Sequence, residues 1–220
     1  MRMMLASGTP VEVARPGEGR RPPTRGLVLI PDIMGLRPLF DAHTKRLSDE
    51  QGWAVAAVEP WPGREDLPLE DRLGLVGSIS DDALLGDLVA AADLLDVEPV
   101  GLTGFCMGGM FTLKGAGTGR FHRAVAFYGM LVVPTDWRSE GTIEPLDAVA
   151  SAGACATMAI VGSEDSWTPP DDVAAAEAAG VAVVRYEGAD HGFVHDGSRP
   201  AHRAADAADA WRRAIEFLSA

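Results

Sequence analysis

Cysteine is scarce in this chain. Cys106 and Cys155 are the two in 220 residues, too few for a disulfide framework and without the spacing of a metal site, which favours a reducing compartment. Basic residues are outnumbered, 19 lysines and arginines against 32 aspartates and glutamates. The resulting formal charge of −13 withholds the cationic footprint that nucleic acids and anionic membranes need, so neither is expected as a partner. The first residues hold no apolar core of signal-peptide length, and no later run reaches a membrane span, so a cytoplasmic protein is expected. Paired His, Cys or carboxylate ligands are also missing, so no metal and no other cofactor is expected. No linker divides the chain, and residues 1–220 are expected to form a single domain, a monomer or small homo-oligomer.

What is present is an alternation of short apolar runs with helix-forming stretches. Met3–Ala6 and Val11–Ala14 read as an edge hairpin, followed by the Pro, Gly and Arg-rich connection Arg15–Arg25. Gly26–Ile30 reads as a strand buried on both faces and Trp53–Val58 as another buried strand, with further strands at Glu98–Thr103, Arg123–Tyr128, Ala156–Val161 and Val181–Glu187. Between them fall helices at Pro38–Gln51, Asp81–Asp96, Met107–Gly115 and from Pro169-Pro170 to about Ala179. Arg199–Leu218 closes the chain with an expected apolar face of Ala204, Ala208, Trp211, Ile215 and Leu218. Glu59–Ser80 and Gly129–Glu144 read as long irregular stretches able to cover a site. This pattern predicts an α/β protein with a mostly parallel central sheet of about eight strands and helices on both faces. Chemistry in such sheets collects beyond the carboxyl ends of the strands.

One such end is chemically distinctive. Gly104-Phe105-Cys106-Met107-Gly108 has the form of a nucleophile elbow with cysteine in place of serine, its glycines removing Cβ atoms that would clash in a tight strand-to-helix turn. A buried core thiol is the plain alternative, and the flanking glycines favour the elbow. A thiol nucleophile needs a base, and the base needs a third group to orient it. Asp165 after Ala156–Val161 and His191 after the last strand supply both, in the nucleophile, acid, histidine order of α/β-hydrolases. Glu164 and Asp190 rival Asp165 for the acid, and His43, His122, His195 and His202 are read as structural. The Met107 amide and that of Ile33 or its neighbour are the expected oxyanion donors. Asp32, in the same loop as Ile33, is either a group facing the thiol or a solvated turn aspartate. Anionic substrates would need a local arginine, with Arg37, Arg64, Arg72 and Arg199 as candidates.

Four motifs in order, Pro31-Asp32-Ile33-Met34-Gly35-Leu36, Gly104–Gly109, Gly162-x-x-Asp165 and His191-Gly192-Phe193, resemble those of the dienelactone hydrolases, cysteine-dependent members of the α/β-hydrolase fold. The resemblance covers nearly the whole chain. It implies a triad of Cys106, His191 and Asp165 that opens a small-molecule lactone or ester through an acyl-cysteine, with no cofactor. It also implies that a carboxylate at position 32 holds the resting thiol and helps to deprotonate it. Asp32 stands where similar members usually carry glutamate, and His195 where the best-known members place an arginine for the substrate carboxylate. Phe105, Trp61, Trp137, Trp167 and Phe193 could line an apolar acyl site, with His195 at its edge. A thioesterase or general carboxylesterase on the same triad, and a non-catalytic protein with a redox-sensing Cys106, are the alternative functions.

Overall fold

The computed structural model describes residues 1–17 and 19–220. Its strands are β1 (Arg2–Met4), β2 (Pro10–Ala14), β3 (Gly26–Ile30), β4 (Ala54–Val58), β5 (Val100–Phe105), β6 (Arg123–Phe127), β7 (Ala156–Gly162) and β8 (Ala182–Tyr186). They form one eight-stranded sheet in the order β1-β2-β4-β3-β5-β6-β7-β8. β1, β2 and β4 pair antiparallel, and every pairing from β4 to β8 is parallel, so the expected antiparallel edge on a parallel sheet is observed.

The centre of the sheet follows from composition. Every residue of β3, β4 and β5 is buried, and side chains leave a strand alternately on its two faces. Val28 and Ile30 therefore enter one core and Leu27 and Leu29 the other. The helices are α1 (Pro38–Gln51), α2 (Leu69–Leu75), α3 (Asp81–Leu94), α4 (Met107–Ala116), α5 (Pro145–Ala150), α6 (Pro170–Ala178) and α7 (Ala204–Ser219). Leu84 and Leu88 of α3 and Met110 and Phe111 of α4 cover the first face, whereas Phe40 and Leu47 of α1 and Ala210 and Ala214 of α7 cover the second. No helix among the described residues is long and apolar enough to cross a membrane.

Three sequence expectations need correction. The closing helix begins at Ala204 rather than Arg199, and its buried stripe is Ala207, Ala210, Ala214 and Leu218, with Ala204 and Ala208 exposed and Trp211 and Ile215 at the flank. Alanines occupy both stripes, so the apolar pattern alone does not choose between them. The stretch Glu59–Ser80 is not irregular throughout, since it contains α2 and a 3-10 turn at Val76–Ser78. Gly129–Glu144 likewise contains a 3-10 turn, Thr135–Trp137, and the two segments meet where Gly77 lies against the Trp137 backbone.

One buried ion pair ties these parts together. Lys114 Nζ of α4 donates to both Asp81 oxygens at 2.9 Å, and Asp81 also accepts the Ile143 amide at 2.6 Å. Burial pulls the Lys114 pKa down against the opposing pull of Asp81. Removing one partner of a buried pair strands the other charge in a medium that solvates it poorly. Lys114→Ala should therefore lower the unfolding free energy by about 3 kcal/mol in urea denaturation, and Lys114→Met with Asp81→Leu should recover most of that loss. A single variant as stable as the parent would show that the pair contributes nothing.

Candidate active site

The turn after β5 has the strained form read from the sequence. Cys106 sits at φ 57° and ψ −122°, a conformation that L residues rarely adopt and that persists only where the surroundings over-determine it. Its amide donates to Phe127 O at 3.0 Å and its carbonyl accepts the Met110 amide at 3.0 Å, so β6 and α4 pin the turn from both sides. The glycines permit close backbone approach. A Cβ on Gly104 would stand 2.3 Å from Gly108 O, and one on Gly108 would stand 2.2 Å from Pro31 O and 2.5 Å from Ile30 O.

His191 follows β8, and its Nδ1 meets Asp165 Oδ2 at 2.9 Å. The Asp165 side chain is wholly buried, and its second oxygen accepts the Trp167 amide at 2.9 Å. The turns carrying the two residues are stitched by the Glu164 amide on Ala189 O at 2.9 Å. Of the rival acids, Asp190 accepts the His191 amide rather than the ring, and the Glu164 side chain reaches Ser163. His191 Nε2 is buried without a hydrogen-bond partner and turns toward Cys106. Burial favours the neutral ring, but the hydrogen bond to Asp165, with the nearness and charge of Cys106 and the charge of Asp165, outweighs it and raises the His191 pKa to about 10.

A second histidine behaves in the opposite way. His195 is buried, with Nδ1 2.5 Å from the Tyr128 hydroxyl and Nε2 2.8 Å from Asp32 Oδ2. Arg37 grips the same carboxylate with Nη1 on Oδ1 at 2.6 Å and Nη2 on Oδ2 at 2.8 Å. Burial raises the Asp32 pKa, yet the bonds from His195 and Arg37 prevail and hold it well below the ordinary carboxylate value. Burial lowers the His195 pKa despite Asp32, and pushes the Tyr128 phenol well up. One pattern of protons satisfies all of this: Tyr128 donates to Nδ1 of a neutral ring, and Nε2–H donates to ionised Asp32. Asp32 opens onto the same cleft as Cys106, but no hydrogen bond joins them among the described residues. Its shorter side chain is committed to Arg37 and His195.

The loop holding the Ile33 amide is braced from several sides. The Gly35 amide donates to Asp32 O at 2.9 Å, which fixes the Asp32–Ile33 peptide plane and with it the direction of the Ile33 N–H. Trp61 Nε1 and Arg72 Nη1 donate to Ile33 O at 2.7 and 3.2 Å. Buried Glu59, its pKa raised by desolvation, accepts the Leu36 and Trp61 amides at 2.8 and 2.9 Å. The Met107 amide opens α4 and so lies outside the helical ladder.

A cleft of about 410 Å³ opens above these atoms. Ile33, Met34, Met130, Leu69, Leu73, Trp137 and Trp167 make its apolar wall, and Arg37, Asp196 and Arg199 its polar one. Of the residues expected at the acyl site, Trp137 and Trp167 line the cleft, whereas Phe105, Phe193, His195 and Trp61 are buried and do not line it. Phe105 stacks on Phe127 with centroids 4.8 Å apart, and Phe193 packs between Tyr128 and Tyr186. Residues flanking a catalytic strand end alternate between cavity and core, and glycine neighbours do not reveal which side they take. Tyr128 and Glu59 were missed, although each stands at the carboxyl end of a strand, where chemistry was expected. No group of three or more His, Cys, Asp or Glu suited to a metal ion occurs among the described residues.

Gly108→Ala tests the backbone contact that sets this geometry. It should cost about 1 to 3 kcal/mol of stability and displace the end of β3, seen as a lowered denaturation midpoint. An unchanged midpoint would contradict the close approach.

The family model described as the dienelactone hydrolase family matches residues 13–220. A protein of Synechocystis sp. named "Putative carboxymethylenebutenolidase" is 32% identical over 211 residues, which are 87% of this chain and 84% of that protein. The "Probable 2-oxo-3-(5-oxofuran-2-ylidene)propanoate lactonase" of Bradyrhizobium sp. is 29% identical over 94% of this chain and 92% of its own. Among solved structures, a "Putative Dienelactone Hydrolase" from Klebsiella pneumoniae superposes with a TM-score of 0.86 at 24% identity, covering 100% of this chain and 97% of that one. At that identity the structural likeness speaks for the fold.

Proposed function

The chain belongs to the dienelactone hydrolase family, and on that premise we propose that it hydrolyses small lactones or esters at Cys106, with His191 and Asp165, through an acyl-cysteine intermediate. The observation that carries this reading is the buried nitrogen His191 Nε2, unpartnered and turned toward a cysteine on a strained strand-to-helix turn, while Nδ1 is held by buried Asp165. Most buried polar atoms of folded proteins find a hydrogen-bond partner, so an unpartnered nitrogen facing a cysteine supports a chemical role for this ring.

The chemistry follows from the proton positions. A His191 pKa of about 10 means that the ring carries a proton at neutral pH, and in the proposed reaction Cys106 sulfur attacks from beside that imidazolium. The S–C bond forms as the carbonyl electron pair moves onto oxygen, where the Met107 and Ile33 amides donate to it. Collapse breaks the bond to the leaving oxygen, which takes the proton from His191 Nε2. Once acylated, Cys106 no longer presents negative sulfur to the ring, and two of the influences that raised its pKa disappear. The ring, having given its Nε2 proton to the leaving oxygen, therefore stays neutral when water arrives. It accepts a proton from that water, hydroxide adds to the thioester, and departure of sulfur restores the pair.

Two experiments test the reading. Ring opening of a dienelactone, followed by loss of ultraviolet absorbance, and hydrolysis of 4-nitrophenyl acetate should both fall by about 10⁴-fold or more in Cys106→Ala. Parent and variant equally inactive on both would overturn the proposal. The pH dependence has a definite sign. The acylation step needs protonated His191, so kcat/KM should decline as pH rises through about 10. Asp165→Asn removes a group that raises that pKa, and should move the alkaline limb to lower pH while reducing kcat by roughly 10⁴-fold. An alkaline limb unmoved in that variant would detach it from His191.

A further inference from the structure

The cleft above Cys106 is not the sole opening that reaches His191. A second, more open groove of about 670 Å³ is lined by Ser166, Asp190, Pro200 and Ala201, none of which lines the first. The two share three side chains, Trp167, His191 and Arg199, which therefore form the ridge between them. The ridge is held in place. The Trp167 amide is bonded to Asp165 and its ring stacks on Trp137 with centroids 5.3 Å apart, while the Arg199 guanidinium lies over Gly192, next to His191.

The balance of the reaction assigns a role to each side. During collapse the oxygen that leaves is the one that receives the proton of His191 Nε2. Whatever is bonded to that oxygen must lie on the His191 side, whereas the acyl group stays on sulfur and must fit the cavity that holds Cys106. A lactone needs only the first cleft, because its acyl part and its leaving oxygen remain joined. An open-chain ester needs a second space, and the groove supplies one. The two differ in character: outside the shared ridge, the Cys106 cleft carries a large apolar wall, Met34, Leu69, Leu73, Met130 and Trp137, beside polar Arg37 and Asp196, whereas the groove has no large apolar side chain and is lined by Ser166, Asp190, Pro200 and Ala201.

We propose that the site is divided at the Trp167, His191 and Arg199 ridge, and that it accepts open-chain esters whose acyl part is apolar and whose alcohol part is polar, with the alcohol seated in the groove. This rests on the hydrolase reading above. The test uses three substrates with the same acyl length, γ-butyrolactone, methyl butyrate and glyceryl monobutyrate, each followed by acid release in a pH-stat. The parent should prefer the glyceryl ester to the methyl ester by about tenfold in kcat/KM. Ala201→Trp, which fills the groove, should erase that preference and leave the lactone rate within about twofold. Ser166→Tyr, from a different part of the groove wall, should act the same way if Ala201→Trp does not fold. Leu73→Trp, which narrows the first cleft, should slow all three.

The absence of any preference in the parent overturns the division, as does an equal loss on lactone and esters in both groove variants. A Leu73→Trp effect confined to the glyceryl ester would reverse the assignment and overturn it too. Cys106→Ala runs beside every assay: if the parent is no faster than that variant on all three substrates, the hydrolase reading falls, and the division falls with it. Turnover that depends on Cys106 but ignores alcohol size leaves the hydrolase reading standing and removes the division alone.

Discussion

The site depends on one backbone approach, that of the first turn of α4 to the end of β3. Gly108 lies so close to the Ile30 and Pro31 carbonyls that a single methyl group would stand 2.2 Å from oxygen. Because β3 and β5 are neighbours in the sheet, this contact brings the start of α4 against the loop that follows β3. Cys106 and the Met107 amide come from one side of it and the Ile33 amide from the other. In the proposed reaction these amides are the oxyanion donors, which are effective when they stand in place before charge develops, and packing rather than flexible side chains places them. Glu59, Trp61 and Arg72 then hold the β3 loop from outside, so that the Ile33 peptide resists rotation.

Two histidines four residues apart illustrate how partners decide chemistry. His191 shares a hydrogen bond with Asp165 and faces sulfur, and its pKa rises. His195 is buried with Tyr128 and Asp32, and its pKa falls. Burial disfavours the charged ring at both sites; at His191 Asp165 and Cys106 together outweigh it, whereas at His195 Asp32 alone opposes it and the charges of Arg37 and Arg199 add to it. Sequence spacing cannot reveal this, since Asp32 and Tyr128 reach His195 from 163 and 67 residues away.

The legible parts of the sequence were those governed by local rules. Runs such as Gly26–Ile30 are buried because no polar residue interrupts them, and the Cys106 elbow is marked by glycines two residues to either side. Illegible parts turn on long-range choice. The buried stripe of α7 is set by which alanines meet β6 and β7, and alanine carries little pattern of its own. Phe105 adjoins the nucleophile in sequence yet points into the core, because side chains alternate along β5. Asp32 looked free to serve the thiol, but one methylene fewer than glutamate, together with a nearby Arg37, directs it to a different partner.

These constraints divide the molecule into a part that resists change and a part that admits it. Reacting atoms are fixed by backbone contacts and buried bonds, where small displacements are costly. The cleft walls are built differently: Leu69 and Leu73 of α2 and Trp167 are large apolar side chains left 45%, 39% and 39% exposed, and Ser166 and Ala201 bear no buried network. Water contact at such surfaces is unfavourable, and a substrate that covers them recovers part of that free energy. In the proposed reaction, binding preference therefore resides in side chains that can be exchanged without moving Cys106, His191 or the Ile33 and Met107 amides. A fold organised this way can alter what it accepts while keeping how it reacts, because the groups that recognise substrate and the groups that transform it are held by different forces.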